Sequence, residues 1–524
     1  MDNPQLSARE IRSKAMIDRQ TNYDRRGKKK VVLFFPTPAY GHYRIELGLA
    51  TAVVAAPLEG KYELHLVDER VTPNFEQAVL NNLDDTVCVG ISSITGYQIK
   101  RGIAMARQVR AMDPEVPIVW GGYHPSLFPE QCCQSQACDI VCVGQGDLTF
   151  PEIVDSLAAG KAPAGVPGSV YWTAGGVAVN EPRPLANIND VMPAPYHLLD
   201  VNRAIALNQS QNHEKIRTIE FHSSQGCPGK CGYCADAQLY QRHWTGLDAE
   251  RVVREVSNIV MTYNLDQVNF SDANFFANQK RVQAICEGFI REGLGIRWVA
   301  SARPDTFHRY KPEVLDLIRE SGCKRIIVGA ESAAAPVLEL ISKGATAEDH
   351  LKSAQACSDY GIGGTFTFIT GFPHPPGTPP QETTEDLLNF IEKVKKISPD
   401  IRTKIFVFTP YPGTPLYDLA VKYGMPEPGS LEEWADYNPA TLKESAWVGP
   451  GERQMIEKVN GFYYPFAYPD SNMQTKLGNG GYKKYAYKAL HSLARARVDR
   501  HFYSYPLEWM LFKTFKKQTF EPIA

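Results

Sequence analysis

The chain has 524 residues, 43% of them hydrophobic and 22% charged, with a net charge of −2. That length predicts two or three domains with ample core, and the near-neutral balance excludes an overall pull toward nucleic acid. No apolar run reaches the length of a membrane span, and the polar N-terminus does not read as a signal peptide, so a cytoplasmic location is expected. Eleven cysteines in a chain of this size fit reduced thiols rather than a disulfide scaffold.

Residues 1–29 are polar and charged and read as a loose leader. Between 30 and 157, five short apolar runs alternate with helix-length segments: Val31–Phe35, Leu64–Val67, Val87–Ser92, Ile118–Trp120 and Ile140–Val143. That alternation predicts an α/β domain with a doubly wound, Rossmann-like parallel sheet. Ligands of such sheets lie beyond the carboxyl ends of the strands. Here those ends carry Ser92-Ser93, Gly121-Gly122, and Gly144 with Gly146. Small residues let a ligand approach the backbone, although each taken alone could serve only a tight turn. Three such ends in one sheet point to a planar or bulky cofactor. No G-x-G-x-x-G is present, so a dinucleotide is not favoured. Residues 158–216, with Gly175-Gly176, Pro193 and Pro195, read as a connector that joins and braces two domains.

From 217 to 424 the alternation resumes. Apolar runs at Thr218–Ser223, Gln267–Phe270, Arg297–Ala300, Arg325–Val328, Gly364–Ile369 and Lys404–Phe408 each end in polar, Gly or Pro residues. Six β/α units predict a partial (β/α)6 barrel, open on one side, with its site on the carboxyl-end face. The first strand runs into GCPGKCGYC, which holds Cys227, Cys231 and Cys234. Three thiolates at this spacing can ligate three irons of one cubane 4Fe–4S cluster and leave the fourth iron open. A zinc site would want a fourth ligand, for which His222 and His243 are near in sequence. The preceding strand and the long α/β pattern favour the cluster.

Residues 425–524 are rich in aromatics, and a small, mostly helical cap over the barrel mouth is expected there. The segment 476–517 interleaves ten Lys/Arg with aromatic residues. A C-terminal helix packed on the barrel with a solvated basic face is favoured; peripheral membrane contact is the alternative.

Taken together, the segments from about 30 to 420 resemble cobalamin-dependent radical S-adenosylmethionine (SAM) enzymes. In the N-terminal domain the similarity rests on GGYHPSLFPE (121–130) and GQGDLTFPEI (144–153). In the barrel it rests on the cysteine run with aromatic Tyr233 before the third cysteine, GAES (329–332), KGAT (343–346), GFP (371–373) and PYPGTPLY (410–417). The resemblance implies a 4Fe–4S cluster on Cys227, Cys231 and Cys234, SAM on the open iron, and cobalamin in the N-terminal domain. By similarity, Ser92, Ser93, Gly121, Gly122, Gly144, Gly146 and Thr149 line the nucleotide tail and corrin. Tyr40, Tyr97 and Gln98 lie near the loop after the third strand and would cover the cobalt. The D-x-H-x-x-G of other cobalamin domains is replaced by SSITGYQIKRG, so no histidine ligand is expected below the cobalt; His42 and His124 are the imidazoles that would overturn this.

For SAM, the similarity places Tyr233 against the adenine and Glu331 on the ribose hydroxyls or amino group. Arg303 would meet the methionine carboxylate with its planar fork of donors. Asp272 and Asn274 occupy the loop near the methionine amino group, in SDANFF where an acidic pair is commoner, and Gly371 borders the site. The implied activity is methylation of an unactivated carbon or phosphorus through a 5′-deoxyadenosyl radical and methylcobalamin. It implies a small-molecule or peptide substrate, a flavodoxin- or ferredoxin-type electron donor, and no nucleic acid. The main rival is a non-methylating relative, an oxidative cyclase such as the anaerobic Mg-protoporphyrin ester cyclase or a rearrangement enzyme. A cobalamin carrier with a vestigial barrel is disfavoured by the intact cysteines. A methylthiolating tRNA-modifying enzyme would need a second cysteine triad, and Cys132, Cys133, Cys138 and Cys142 instead fit a helix and a strand of the N-terminal fold.

Overall fold

The structure, a computed structural model, describes residues 23–38, 44–211, 216–437, 447–471, 474 and 483–512. Strand β1 (Lys30–Phe35) reads KVVLFF and is buried along most of its length. Such a run suits the middle of a parallel sheet, where both faces are covered. It pairs in parallel with β2 (Glu63–Asp68) on one side and β3 (Thr86–Ser92) on the other; β4 (Ile118–Gly121) and β5 (Ile140–Cys142) follow. The sheet extends beyond residue 157. The connector supplies an antiparallel hairpin, β6 (Ser169–Thr173) and β7 (Gly176–Val179), giving the order β2-β1-β3-β4-β5-β6-β7. The hairpin's Val170, Tyr171 and Trp172 are buried, and they cover an edge that β5 would otherwise expose. The end of the expected leader is also packed: Tyr23 donates to the Trp172 carbonyl at 2.7 Å, and Arg25 to that of Thr86 at 2.7 Å.

The second sheet is parallel throughout: β8 (Thr218–Phe221), β11 (Gln267–Phe270), β12 (Arg297–Ala302), β13 (Cys323–Glu331), β14 (Gly363–Thr370) and β15 (Ile401–Val407). These are the six expected strands, with β8 and β15 as free edges of a partial barrel. A short antiparallel ribbon, β9 (Ser224–Gln225) with β10 (Thr245–Gly246), brackets the cysteine loop. Strand alternation divides the barrel side chains into two sets. Ile219, Phe221, Val268, Phe270, Trp298, Ala300, Val328, Phe366, Phe368 and Ile405 belong to the core beneath the outer helices. The register puts Glu220, Asn269 and Val299 in one row of the opposite face, and Ser301, Ile327 and Thr365 in the next. Ile327 and Phe406 are exposed there, so the lumen is open rather than filled by stacked side chains as in a closed barrel.

The C-terminal region is helical, as expected, but it divides instead of forming one cap over the mouth. The short helix Leu431–Trp434 clasps the N-terminal domain: the Trp434 indole donates to Gln131 at 2.7 Å and packs on His124 and Phe128. Trp447 and Val448 reach the mouth, where the Trp447 indole donates to the His374 carbonyl at 3.1 Å. Beyond them, Asn460 closes the barrel's free edge. Its carboxamide accepts from Ile405 N at 3.0 Å and donates to Ile405 O at 2.7 Å, occupying both backbone groups of that β15 residue. The physical reason for the division is that an open edge strand, an exposed N-terminal helix face and the mouth all need covering. Asn460→Ala removes both edge bonds and should lower stability by about 1–3 kcal/mol, read as an earlier midpoint in chemical denaturation; an unchanged midpoint would mean that water replaces the carboxamide without cost.

Candidate active site

The cysteine loop is positioned before any cysteine is reached. Asp272, at the end of β11, is buried, and its carboxylate accepts from Ser223 N at 2.7 Å, Ser224 N at 3.0 Å and the Ser223 hydroxyl. Two backbone amides on one carboxylate form a strong charge-assisted anchor. Gly226 then adopts φ +72°, and a Cβ there would lie 2.0 Å from the His243 carbonyl oxygen. Only glycine fits this approach of the two arms of the loop. Further on, Gly232 N donates to Ile341 O and Gly232 O accepts from Leu416 N, both at 2.9 Å. The loop is thus tied to the ends of three barrel segments.

Arg303 follows β12 and reaches the sulfurs: its Nη1 lies 3.5 Å from Cys231 Sγ, while its Nε pairs with Asp305 at 3.0 Å. Gly229 N donates to Cys227 Sγ at 3.4 Å. Burial pushes the Cys227 thiol up and that of Cys234 up to about 12, so thiolates here require metal or another strong positive partner. Among the described residues no three His, Cys, Asp or Glu side chains gather as ligands of one metal ion. A cubane cluster needs its thiolates at separate corners, and three thiols on one anchored loop suit it.

Next to the loop stands a trio, the buried Glu331 and Lys343 with the half-buried Tyr233. The Tyr233 hydroxyl donates to Glu331 at 2.9 Å, and the Lys343 ammonium donates to Glu331 at 3.0 Å and to the Tyr233 hydroxyl at 3.3 Å. Glu331 itself sits at φ +67°, a conformation that costs a non-glycine residue energy and persists where the surroundings enforce it. Tyr233 and Glu331 were expected at the site; Lys343 was missed as a site residue, because a lysine in the KGAT run gives no sign of being buried. Asn274 is buried with neither atom of its carboxamide hydrogen-bonded, and the Ser224 hydroxyl is likewise unsatisfied. Buried polar atoms rarely remain so, and a polar cofactor against this loop would satisfy them. Gly371 is at φ +78°, and a Cβ there would meet Val448 Cγ2 at 2.1 Å, so this position seats the C-terminal chain at the mouth. Asp272 departs from its expected part: both of its oxygens are committed to the loop.

In the N-terminal domain the small residues stand together at the strand ends. Ser92 and Gly121 pair across β3 and β4, Gly122 is at φ +98° with no room for a Cβ beside the Ser93 carbonyl, and Gly144 is at φ +74° with open space where a Cβ would be. Open space at Gly144 suits a ligand on the backbone. Gly146 instead packs on Val54, whose Cγ1 would lie 2.8 Å from a Cβ there. Thr149 is buried, with its hydroxyl accepting from Arg183 at 2.7 Å, so it braces the β5–helix junction. Gln98 donates to Pro36 O at 2.6 Å and accepts from Ile94 N at 2.8 Å, which leaves its carboxamide committed to the loop; Tyr97 begins the same helix. His124 is buried, held to Thr95 at 3.1 Å, its basicity lowered to about 3 by burial. Tyr40 and His42 lie outside the described residues.

The two sets of strand ends meet. Tyr123, just after Gly122, donates its hydroxyl to Asp236, two residues after Cys234. Gln145, between the two glycines after β5, donates to Gln225 at 2.6 Å, two residues before Cys227.

Three substitutions separate these roles. Gly226→Ala should abolish most iron incorporation with all three cysteines intact, whereas Gly229→Ala, whose Cβ would meet the movable tip of Arg303 at 2.7 Å and Cys227 Sγ at an ordinary contact distance of 3.4 Å, should retain it; equal iron contents would contradict the loop argument. Lys343→Met leaves Glu331 buried without its cation, and should keep the iron while weakening SAM binding at least about tenfold, measured by equilibrium dialysis on reconstituted protein.

Comparison with known proteins agrees with this geometry. Residues 221–387 match the radical SAM superfamily and residues 45–154 the B12 binding domain. An uncharacterized methyltransferase of Pyrococcus horikoshii is 30% identical over 378 residues, covering 71% of this chain and 78% of the relative. The anaerobic magnesium-protoporphyrin IX monomethyl ester cyclase of Rubrivivax gelatinosus is 24% identical over 63% of this chain, which spans 57% of the cyclase's length. Among solved structures, the cobalamin-dependent SAM radical enzyme OxsB with aqua-cobalamin bound shares the fold at a TM-score of 0.67 and 18% identity, over 94% of this chain and 76% of the other. With its anchored cysteine loop, its half-barrel and the sheet that precedes it, the chain belongs to the radical SAM superfamily, among the members that carry a B12 binding domain.

Proposed function

We propose that this protein is a cobalamin-dependent radical SAM methyltransferase acting on an unactivated carbon or phosphorus of a small molecule. The observation that carries the reading is the meeting of the two strand-end faces through Tyr123–Asp236 and Gln145–Gln225, which puts the cysteine loop against the N-terminal strand ends. When bound, the reduced cluster and SAM supply the radical, and cobalamin the methyl group. The chain's own residues position and shield. Cys227, Cys231 and Cys234 hold the cluster, and Arg303 lends positive charge to their sulfurs. Tyr233, Glu331 and Lys343 form a rigid polar wall for SAM, with the Asn274 carboxamide available to its methionine end. Ser92, Gly121 and Gly144 leave room for the corrin, with Gly122 packed on the buried Ser93 behind them. The substrate enters the open lumen, where the Lys404 ammonium lies 4.9 Å from the Phe406 ring centroid. Holding substrate there, out of water, supplies orientation rather than polarisation, which is what hydrogen-atom abstraction requires. A flavodoxin- or ferredoxin-type protein would deliver the electron.

The methyltransferase reading is placed ahead of the cyclase because the 30%-identical relative bears the methyltransferase name, while the cyclase is 24% identical. Anaerobic, cobalamin-loaded protein given methyl-labelled SAM, reductant and host-cell extract should place label in a metabolite, with S-adenosylhomocysteine and 5′-deoxyadenosine both formed. Substrate-dependent 5′-deoxyadenosine with no S-adenosylhomocysteine and no labelled product would replace it with the cyclase or rearrangement reading.

A further inference from the structure

Large apolar side chains are not scattered evenly over this surface. Among the described residues, seven of the seventeen that are exposed fall between 485 and 511: Tyr485, Leu493, Phe502, Tyr505, Leu507, Met510 and Leu511. Tyr505 is 81% exposed, Leu507 68% and Leu511 62%. They project from a rigid support. Helix Lys483–Val498 buries Ala494 and Val498 and stacks Tyr487 on Phe466. After it, the Arg497 guanidinium gathers three carbonyls of the following turn, Phe502 O at 3.2 Å, Ser504 O at 2.6 Å and Tyr505 O at 3.0 Å. Tyr503 is buried against Tyr463, and His501 is tied to Glu392 at 2.9 Å. The turn therefore presents Tyr505 outward at φ +50°, an uncommon conformation for a bulky residue that the Arg497 bond to its carbonyl holds in place.

Charge completes the picture. Residues 483–524 carry nine Lys/Arg against three Asp/Glu, in a chain whose net charge is −2. Of the acids in the described part, Asp499 is paired with Arg495 at 3.1 Å and Glu508 with Arg497 at 2.9 Å; Glu385, on the neighbouring barrel helix, lies 3.9 Å from His501. Lys488 and Arg500 are exposed and Lys484 is half-buried, and among the described residues none of them has a carboxylate partner. Apolar tips flanked by unneutralised cations match an acidic lipid surface, where tips enter the interface and cations meet headgroups. A patch of this kind on a monomer signals an interaction site.

We infer that residues 483–511 dock the protein on the surface of an anionic lipid bilayer. The test is co-sedimentation of the reconstituted full chain with vesicles of phosphatidylglycerol and phosphatidylcholine, and with vesicles of phosphatidylcholine alone. Binding is expected to the anionic vesicles, to fall with salt, and to be weak on the neutral ones. The triple variant Tyr505→Ser/Leu507→Ser/Leu511→Ser and the triple variant Lys484→Gln/Lys488→Gln/Arg500→Gln should each lower binding at least about tenfold, with iron content unchanged. Absence of vesicle binding, or binding by both variants equal to that of the wild type, overturns the proposal. So does a wild-type dimer in gel filtration that the apolar variant converts to monomer, which would make a second copy the occupant.

Discussion

The structure turns on one buried carboxylate. Asp272 takes the amides of Ser223 and Ser224 at the point where β8 ends, and so fixes where the cysteine loop leaves the barrel. A loop that must present three thiols to separate corners of a cluster cannot be left to its own conformational entropy. The anchor, the ribbon β9–β10, the forced glycine at 226 and the Gly232 bonds together remove that freedom. Arg303 and the trio of Tyr233, Glu331 and Lys343 then find fixed positions around the sulfurs. The Glu331–Lys343 pair is buried on both sides, and its net contribution to stability is small once desolvation is counted. Its value lies in holding a charged, oriented surface beside the loop.

The same logic governs how the two domains meet. Each sheet offers its carboxyl ends, the place where parallel α/β folds bind ligands. The interdomain hydrogen bonds fall at those ends, from residues adjacent to the glycines on one side and adjacent to the cysteines on the other. Leu431, Trp434 and Tyr437 add an apolar clasp by joining the N-terminal core. The two ligand regions therefore face one another.

Much of this was legible in the residues. The cysteine spacing, the six barrel strands and the five parallel strands follow from local pattern, because each is a short-range signal: a ligand interval or an apolar run. Tyr233 and Glu331 were legible through the family resemblance. What was not legible depends on distance. Asp272 reads as a contact to the methionine amino group until its partners forty-eight and forty-nine positions away are known. Lys343 looks like a surface lysine, and Thr149 like a ligand residue until Arg183 is seen on its hydroxyl. The hairpin β6–β7 was hidden in a connector whose glycines and prolines suggested a link, since edge pairing is written in the strand it joins rather than in itself. The C-terminal region misled for a similar reason: its aromatics cover three different surfaces, and one sequence pattern cannot say which.

The central claim is that the cysteine loop and the N-terminal strand ends serve one chamber. Electron paramagnetic resonance of the anaerobic protein, loaded with cob(II)alamin and a reduced cluster, tests it most directly. The account predicts magnetic coupling between the two centres, and a change in the cluster signal when SAM is added to its open iron. Two independent signals, with a cluster spectrum indifferent to SAM, would contradict it.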